Sequence, residues 1–324
     1  MNILFTAVGR RVSLLRSFRR AMNALCIDGK IIAADSALSA PALFTADDNV
    51  RIPRADSPEY IFSLLSVCES YKVDLLIPLI DTDLAVLSRH KKAFSEKGIT
   101  LIVCDTETNL ICFDKLKTNE FFVKNYINSP HVYSEVELKS IGEADFPVII
   151  KPWDGSCSVG VNVVHSFSEF DFFMKNTRHA MAQALVLGDE YTCDAYVDFN
   201  GVVRCVVPRR RLETRAGEVS KGLTVNDPTI IEAVSSCINS LPHAIGCMTV
   251  QCFRLLDGSV SFIEINPRFG GGHPLSIQAG ADFPKWILQE FISGECDASF
   301  DAWESDLAML RYDEEVFVAG CDIQ

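Results

Sequence analysis

Thr249-Val-Gln-Cys-Phe-Arg-Leu-Leu-Asp-Gly-Ser-Val-Ser-Phe-Ile-Glu-Ile-Asn-Pro-Arg268 is the stretch whose reading decides the fold. Two alternating runs flank Asp257-Gly258, the dipeptide of a two-residue type I′ hairpin. Such a turn sets Gln251 opposite Glu264 and Phe253 opposite Phe262. Glu264 and Asn266 are two apart and share a strand face. Gln251, Glu264 and Asn266 then stand on one surface, within cross-strand reach of each other. Three oxygen-bearing side chains with one charge suit a hard cation such as Mg²⁺, its shell completed by water and phosphate oxygens. An exposed polar sheet face is the competing reading. The expected Phe253–Phe262 pair on that face argues for partial burial and against it.

Upstream lies Phe146-Pro-Val-Ile-Ile-Lys151-Pro-Trp-Asp-Gly155-Ser-Cys-Ser-Val-Gly160-Val. A strand ends in a lysine, and a small-residue loop between two glycines follows. Such a loop can lay backbone N–H groups on phosphate, with Lys151 to neutralise it. No G-x-x-x-x-G-K-[ST] occurs, so this is not a P-loop, and an ordinary hairpin is equally compatible. Next, Gln183-Ala-Leu-Val-Leu-Gly-Asp-Glu190 leaves a strand through Gly188 and offers an acid. A strand edge of this kind can read an adenine, and a carboxylate can take ribose hydroxyls. Arg204, Arg209, Arg210, Arg211, Arg215 and Lys221 crowd together, where an even spread of the chain's 30 Lys and Arg would be far sparser. They read as anion ligands, for a triphosphate or a substrate carboxylate, or as a solvated hairpin.

Residues 1 to about 105 alternate strand and helix patterns. Strands are expected at 2–7, 30–35, 73–78 and 99–104, and helices at 12–27, 57–71 and 82–95. That alternation implies a parallel sheet, whose ligands gather beyond the carboxyl ends of its strands. Arg10-Arg11 and Asp81-Thr-Asp83 fall there. The arginines read as an anion site or as solvated residues opening a helix. The two aspartates read as helix caps or as ligand contacts. No G-x-G-x-x-G follows the first strand, which counts against a dehydrogenase. A further helix is expected at 110–123.

The chain has 324 residues, 48% hydrophobic and 23% charged, the profile of a globular protein of about two domains. A net charge of −13 argues against nucleic acid as a partner. No apolar run reaches the ~18 residues of a membrane helix. The 12 cysteines include no C-x-x-C and sit mostly in apolar runs, which suits buried free thiols. The first residues lack the layout of a signal peptide. The expected location is the cytoplasm.

In this order, over nearly the whole chain, the segments resemble the ATP-grasp superfamily, in particular its carbamoyl-phosphate-synthase-like carboxylate–amine ligases. The resemblance rests on Asp114-Lys115, the Val-Ile-Ile-Lys151 strand with its glycine loop, Gln183 to Glu190, and Ile263-Glu264-Ile-Asn266-Pro-Arg268 with upstream Gln251. It implies an α/β fold, α+β toward the C-terminal part. An N-terminal Rossmann-like parallel-sheet domain (1–106) would precede a linker helix and small lid (107–187) and a C-terminal unit with the metal site (188–324). It implies ATP as cofactor with one or two Mg²⁺ (or Mn²⁺) on Gln251, Glu264 and Asn266. Lys115 and Lys151 would contact phosphates, with Gly155, Ser156 and Gly160 in the covering loop. The backbone at Ala184 and Val186 would read the adenine, with Lys151 also near it, Gln183 would contact the ATP, and Glu190 would take the ribose. Arg268 and Lys221 would be catalytic. Arg10, Arg11, Asp81, Arg211, Arg215 and His273 are the candidates for substrate contact.

Two positions depart from many relatives: Ala184 where an acid is common, and Gln251 where a carboxylate is common. The implied reaction activates a carboxylate as an acyl phosphate for attack by an amine, with ADP and phosphate released. A non-ligating ATP-binding regulator is the alternative. The implied partners are small-molecule carboxylate and amine substrates, with no nucleic acid and no membrane, and a homodimer is allowed. The length leaves no room for both halves of a carbamoyl-phosphate synthase.

Overall fold

The computed structural model describes residues 1–155, 159–215 and 217–323. Strand Ile3–Thr6 (β1) is buried throughout, as a central parallel strand covered on both faces must be. Ile31–Asp35 (β2) and Asp48–Arg51 (β3) lie to one side of it, and Leu75–Pro78 (β4) and Thr100–Leu101 (β5) to the other. The sheet is parallel, in the order β3-β2-β1-β4-β5. β3 was not expected, since Asp-Asn-Val-Arg carries too little apolar character for its edge position to show. The helix expected at 82–95 is broken into Asp81–Leu87, a tight turn Ser88–His90, and Lys91–Ser95. The helix expected at 110–123 is likewise two, Thr106–Phe113 and Lys115–Lys124. Asp114 between them leaves helical geometry and its carboxylate accepts the Leu116 and Lys117 amides (2.9 and 3.3 Å), starting a new helix.

Val148–Pro152 (β6), Asn162–Val164 (β7) and Ala180–Ala184 (β8) form a small antiparallel sheet in the order β7-β6-β8. Val148, Ile150, Val164, Phe170 and Ala182 give it a core of its own under helix Phe167–Asn176.

Gly188–Val197 (β9), Val203–Arg215 (β10), Glu218–Thr224 (β11), Gly246–Leu255 (β12), Val260–Asn266 (β13) and Ala308–Leu310 (β14) build an antiparallel sheet in the order β13-β12-β9-β10-β11-β14. Alternate residues serve two cores. Ala195, Val206 and Met248 pack toward helix Pro228–Asn239. Tyr196, Val207 and Cys247 pack toward the N-terminal sheet, through helices Val12–Ala24 and Phe283–Ser293. The Phe18 and Phe269 rings, 5.8 Å apart, join the two units edge to face.

The β12–β13 hairpin corrects one expectation and keeps another. Its loop is longer than two residues. The Leu255 carbonyl accepts the Gly258 N–H (3.0 Å), and the Leu255 N–H reaches the Ser259 carbonyl (2.9 Å). Asp257 Oδ1 holds the Ser259 N–H and hydroxyl (2.9 and 2.7 Å), and Gly258 takes φ +85°, which glycine tolerates. Near the turn the register therefore slips, so that Phe253 faces Ser261 and Cys252 faces Phe262. The expected Phe253–Phe262 pair does not form. Phe262 is buried beside Phe122 (5.9 Å), and Phe253 lines the cavity described below. A bulge between Gln251 and Cys252 then restores the register, and Gln251 does face Glu264.

The 11 described cysteines are all free and eight are buried. No helix among the described residues is long and apolar enough to cross a membrane.

Candidate functional site

A cavity of about 270 Å³ lies between the small sheet and the end of the large one. β6 and β8 supply Lys151 and Gln183, joined by a 2.7 Å hydrogen bond from Nζ to Oε1. Lys151 is 6% exposed, and burial pulls its ammonium down to about 8, with Glu264 opposing the shift and Lys115 adding to it. Lys115 gives its ammonium to the Gly155 carbonyl and lines the same wall. Gly155 and Gly160 both close on Pro152, and a Cβ on either would approach that ring to 3.1–3.2 Å. Ser156 lies outside the described residues. Ala184 and Val186 border the cavity, but the Ala184 N–H is already spent on the His131 carbonyl (2.8 Å). Glu190 lines the opposite wall, bonded to Arg211, and burial pushes its carboxyl up against that pairing.

Gln251, Glu264 and Asn266 stand together on the floor. Asn266 Nδ2 donates to Glu264 Oε1 (3.0 Å), and Asn266 Oδ1 accepts from Arg268 (3.2 Å). Among the described residues no group of three His, Cys, Asp or Glu could hold a metal. The floor offers one carboxylate and two amide oxygens. Such a weakly charged oxygen set has the donor chemistry that Mg²⁺ or Mn²⁺ takes when other oxygens share the ion, and Lys115 and Lys151 line the same cavity. Arg268 is clasped by Asp81, Nε to Oδ1 at 3.0 Å and Nη2 to Oδ2 at 2.8 Å.

The crowded arginines divide by strand alternation. Arg209 and Arg211 line the cavity, while Arg210 turns outward near Asp189 (3.7 Å). Arg204 pairs with Asp198, and Arg215 with Asp313 at the surface. Lys221 is half-exposed on Glu213 (2.6 Å) and is not among the lining residues. Arg11 lines the cavity, whereas Arg10 is exposed; both reach Glu218. His273 is buried behind the wall, its Nδ1 3.2 Å from Asp194. Asp83 turns away and accepts from Thr6 (2.6 Å). Asp194, Thr249 and Glu218 carry site contacts that nothing in the sequence singled out. Asp194 reads as one acid in a strand, and Glu218 depends on the β10–β11 register.

Two family profiles match the chain: the PylC-like N-terminal domain over residues 3–102 and the ATP-grasp domain over residues 112–272. The chain belongs to the ATP-grasp superfamily. A D-alanine–D-alanine ligase of Petrotoga mobilis is 26% identical over 186 residues, covering 52% of this chain. The chain spans only 61% of that relative's length. Among solved structures, the L-amino acid ligase of Bacillus licheniformis superposes with a TM-score of 0.69 at 17% identity, over 90% of this chain and 74% of that one. N5-carboxyaminoimidazole synthetase of Staphylococcus aureus, complexed with ADP, gives 0.72 at 16% identity, over 92% and 79%. At these identities the likeness is one of fold.

Proposed function

We propose that the protein is an ATP-dependent ligase that joins a small-molecule carboxylate to an amine. The observation that carries this reading is Arg268. It is aimed by Asp81 and sits two residues beyond Asn266, on the same cavity as Lys151 and Glu264. Nucleotide binding alone needs no guanidinium held there. Lys115 and Lys151 take the phosphates, Glu190 the ribose, and the strand edge at Ala184–Val186 the base. Gln251, Glu264 and Asn266 would hold Mg²⁺ or Mn²⁺, which supplies charge neutralisation at the transferring phosphoryl group.

In the first step a carboxylate oxygen attacks the γ-phosphorus and the bond to ADP breaks. In the second an amine nitrogen attacks the acyl carbon, phosphate leaves, and the nitrogen gives up a proton. Lys151 and Arg268 stabilise charge that develops on phosphoryl and acyl oxygens. The small sheet, set against the cavity, would exclude water from the acyl phosphate. Lys221, engaged with Glu213, takes no part in this scheme. The three sheets support a division at 1–106, 107–187 and 188–324. Buried free thiols support a reducing location, the cytoplasm.

ADP release that requires both an added carboxylate and an added amine, and falls ~10²-fold or more in Glu264→Ala, is the expected result. Undiminished turnover in that variant, or ADP release indifferent to both substrates, would sink the ligase reading.

A further inference from the structure

His179 stands immediately before β8 and touches both residues that follow β6. The β6–β8 ladder pairs Lys151 with Met181 and Pro152 with Ala180. One rung further, the Trp153 N–H donates to the His179 carbonyl (3.0 Å). The His179 ring stacks on the Trp153 indole, with centroids 4.8 Å apart and planes at 17°. Its Nδ1 lies 2.7 Å from Asp154 Oδ2, the ring donating to the carboxylate. The backbone at His179 is left-handed, with φ +51°. Glycine would turn that corner without strain, whereas a residue with a β-carbon holds it only where its neighbours over-determine it. The two ring contacts are what the histidine adds there.

The same short span is held from its other side by Lys115. The Lys115 N–H donates to the Trp153 carbonyl (3.0 Å), and the Lys115 ammonium donates to the Gly155 carbonyl. A Cβ on Gly155 would already approach Pro152 to 3.1 Å, so the span has little room to move toward β6. Lys115 and Gly155 line the cavity, while His179, Trp153 and Asp154 stand behind them. A lysine ammonium rides on four rotatable bonds, and it keeps one position only where a fixed acceptor holds it. The Gly155 carbonyl is that acceptor. Its own place is set one residue earlier, where Asp154 meets His179.

We propose that His179 is a positioning residue for phosphate binding. Through Asp154 and Trp153 it fixes the Gly155 carbonyl, and that carbonyl presets the Lys115 ammonium on the cavity wall. The inference rests on the reading of Lys115 as a phosphate ligand and deepens it. It is independent of which carboxylate or amine is joined. An ammonium held in place beforehand gives up less rotamer freedom when the polyphosphate arrives, so presetting it strengthens nucleotide binding without any new contact to the nucleotide. His179 itself touches no ligand in this scheme.

The experiment is calorimetric titration of the full chain with ADP in the presence of Mg²⁺. His179→Gly keeps the left-handed corner and removes both ring contacts; it is expected to weaken ADP binding by ~5-fold to ~10-fold. Asp154→Ala removes the same hydrogen bond without touching the corner, and it is expected to match His179→Gly even where the latter folds poorly. His179→Asn tolerates the corner and offers an amide N–H at the branch where the ring has Nδ1, so it is expected to restore most of the affinity. A role confined to filling space or supporting the sheet would not be rescued in this way. Because His179 acts through Lys115, His179→Gly is expected to change nothing further in a Lys115→Met background. Wild-type affinity in both His179→Gly and Asp154→Ala overturns the inference, as does failure of His179→Asn to rescue, or full additivity with Lys115→Met. Wild-type affinity in Lys115→Met would sink the phosphate reading of Lys115 and this inference with it. Turnover is not measured, so the ligase reading can fail without changing any of these outcomes.

Discussion

Asp81 and Arg268 form a two-pronged ion pair across the junction of the N-terminal sheet and the hairpin sheet, at 2.8 and 3.0 Å. Asp81 is the first residue of helix Asp81–Leu87, while Arg268 follows β13. Both side chains are largely shielded, at 19% and 15% exposure, so the contact is geometric as well as electrostatic. Asp81→Asn is expected to lower kcat by roughly tenfold to a hundredfold, because a misaimed guanidinium meets the developing charge badly. KM for ATP is expected to stay put. Steady-state ADP release decides it, and an unchanged kcat would mean that Arg268 is aimed by something else.

On the proposed function, the lowered Lys151 ammonium gives nucleotide binding a pH dependence whose sign follows from its burial. Its ammonium loses its proton at about 8, below the ordinary lysine value of ~10.4. Phosphate binds the charged form, so affinity for ADP is expected to be flat below pH 8. Above it, affinity weakens by up to ~10-fold per pH unit. Stability of the nucleotide-free protein moves the other way. Between about 8 and ~10.4 the unfolded chain holds a proton that the folded chain has shed, so this residue's contribution rises with pH. Lys151→Arg should flatten both profiles, as measured by nucleotide titration and chemical denaturation.

Much of this site was legible because its chemistry is written in short-range patterns. Glu264 and Asn266 share a face by strand alternation alone, and Lys151 ends an apolar strand. The parallel sheet followed from alternating periods, apart from β3, whose polar edge sequence carries no apolar signal. What failed were inferences about turns and caps. Asp257 bonding to Ser259 lengthened the hairpin loop, and Asp114 stopped a helix that hydrophobic spacing ran through. Crowding of basic residues was visible, but it could not tell Arg209 from Lys221. Only the register of β10 against β9 and β11 turns one inward and leaves the other on the rim.

The Arg209–Asp194 pair should dominate the acid stability of the large sheet. Burial alone would raise the Asp194 carboxyl, but Arg209 and His273 overcome it and hold it well below the usual carboxylate range. A depressed folded value means that the contribution is complete above the unfolded value of ~3.9 and is lost as pH falls below it. Asp194→Asn strands a buried guanidinium and is expected to cost ~3–5 kcal/mol at pH 7. Urea denaturation of wild type and variant should show that difference shrinking by pH 3. A constant difference would contradict the assignment.

Thiol reactivity should follow depth. Cys26 and Cys321 are exposed, while burial pushes the Cys104 thiol up to about 11 and the Cys68 thiol up to about 12. Among the described cysteines, Cys26 and Cys321 are expected to alkylate first in native protein at pH 8. Peptide mapping after a timed pulse of iodoacetamide is the check. Equal labelling of Cys104 or Cys252 would show that the sheet core opens far more readily than its packing implies.

The bulge between Gln251 and Cys252 works as an expansion joint. Outward of it, the strands take their alignment from the Asp257–Gly258 loop; inward, from the face that carries Glu264. An inserted or deleted residue at the tip can be absorbed at that joint before it reaches the cavity floor. The hairpin tip is thus free to drift in sequence and length, or to accept a grafted peptide, while Gln251, Glu264 and Asn266 keep their places.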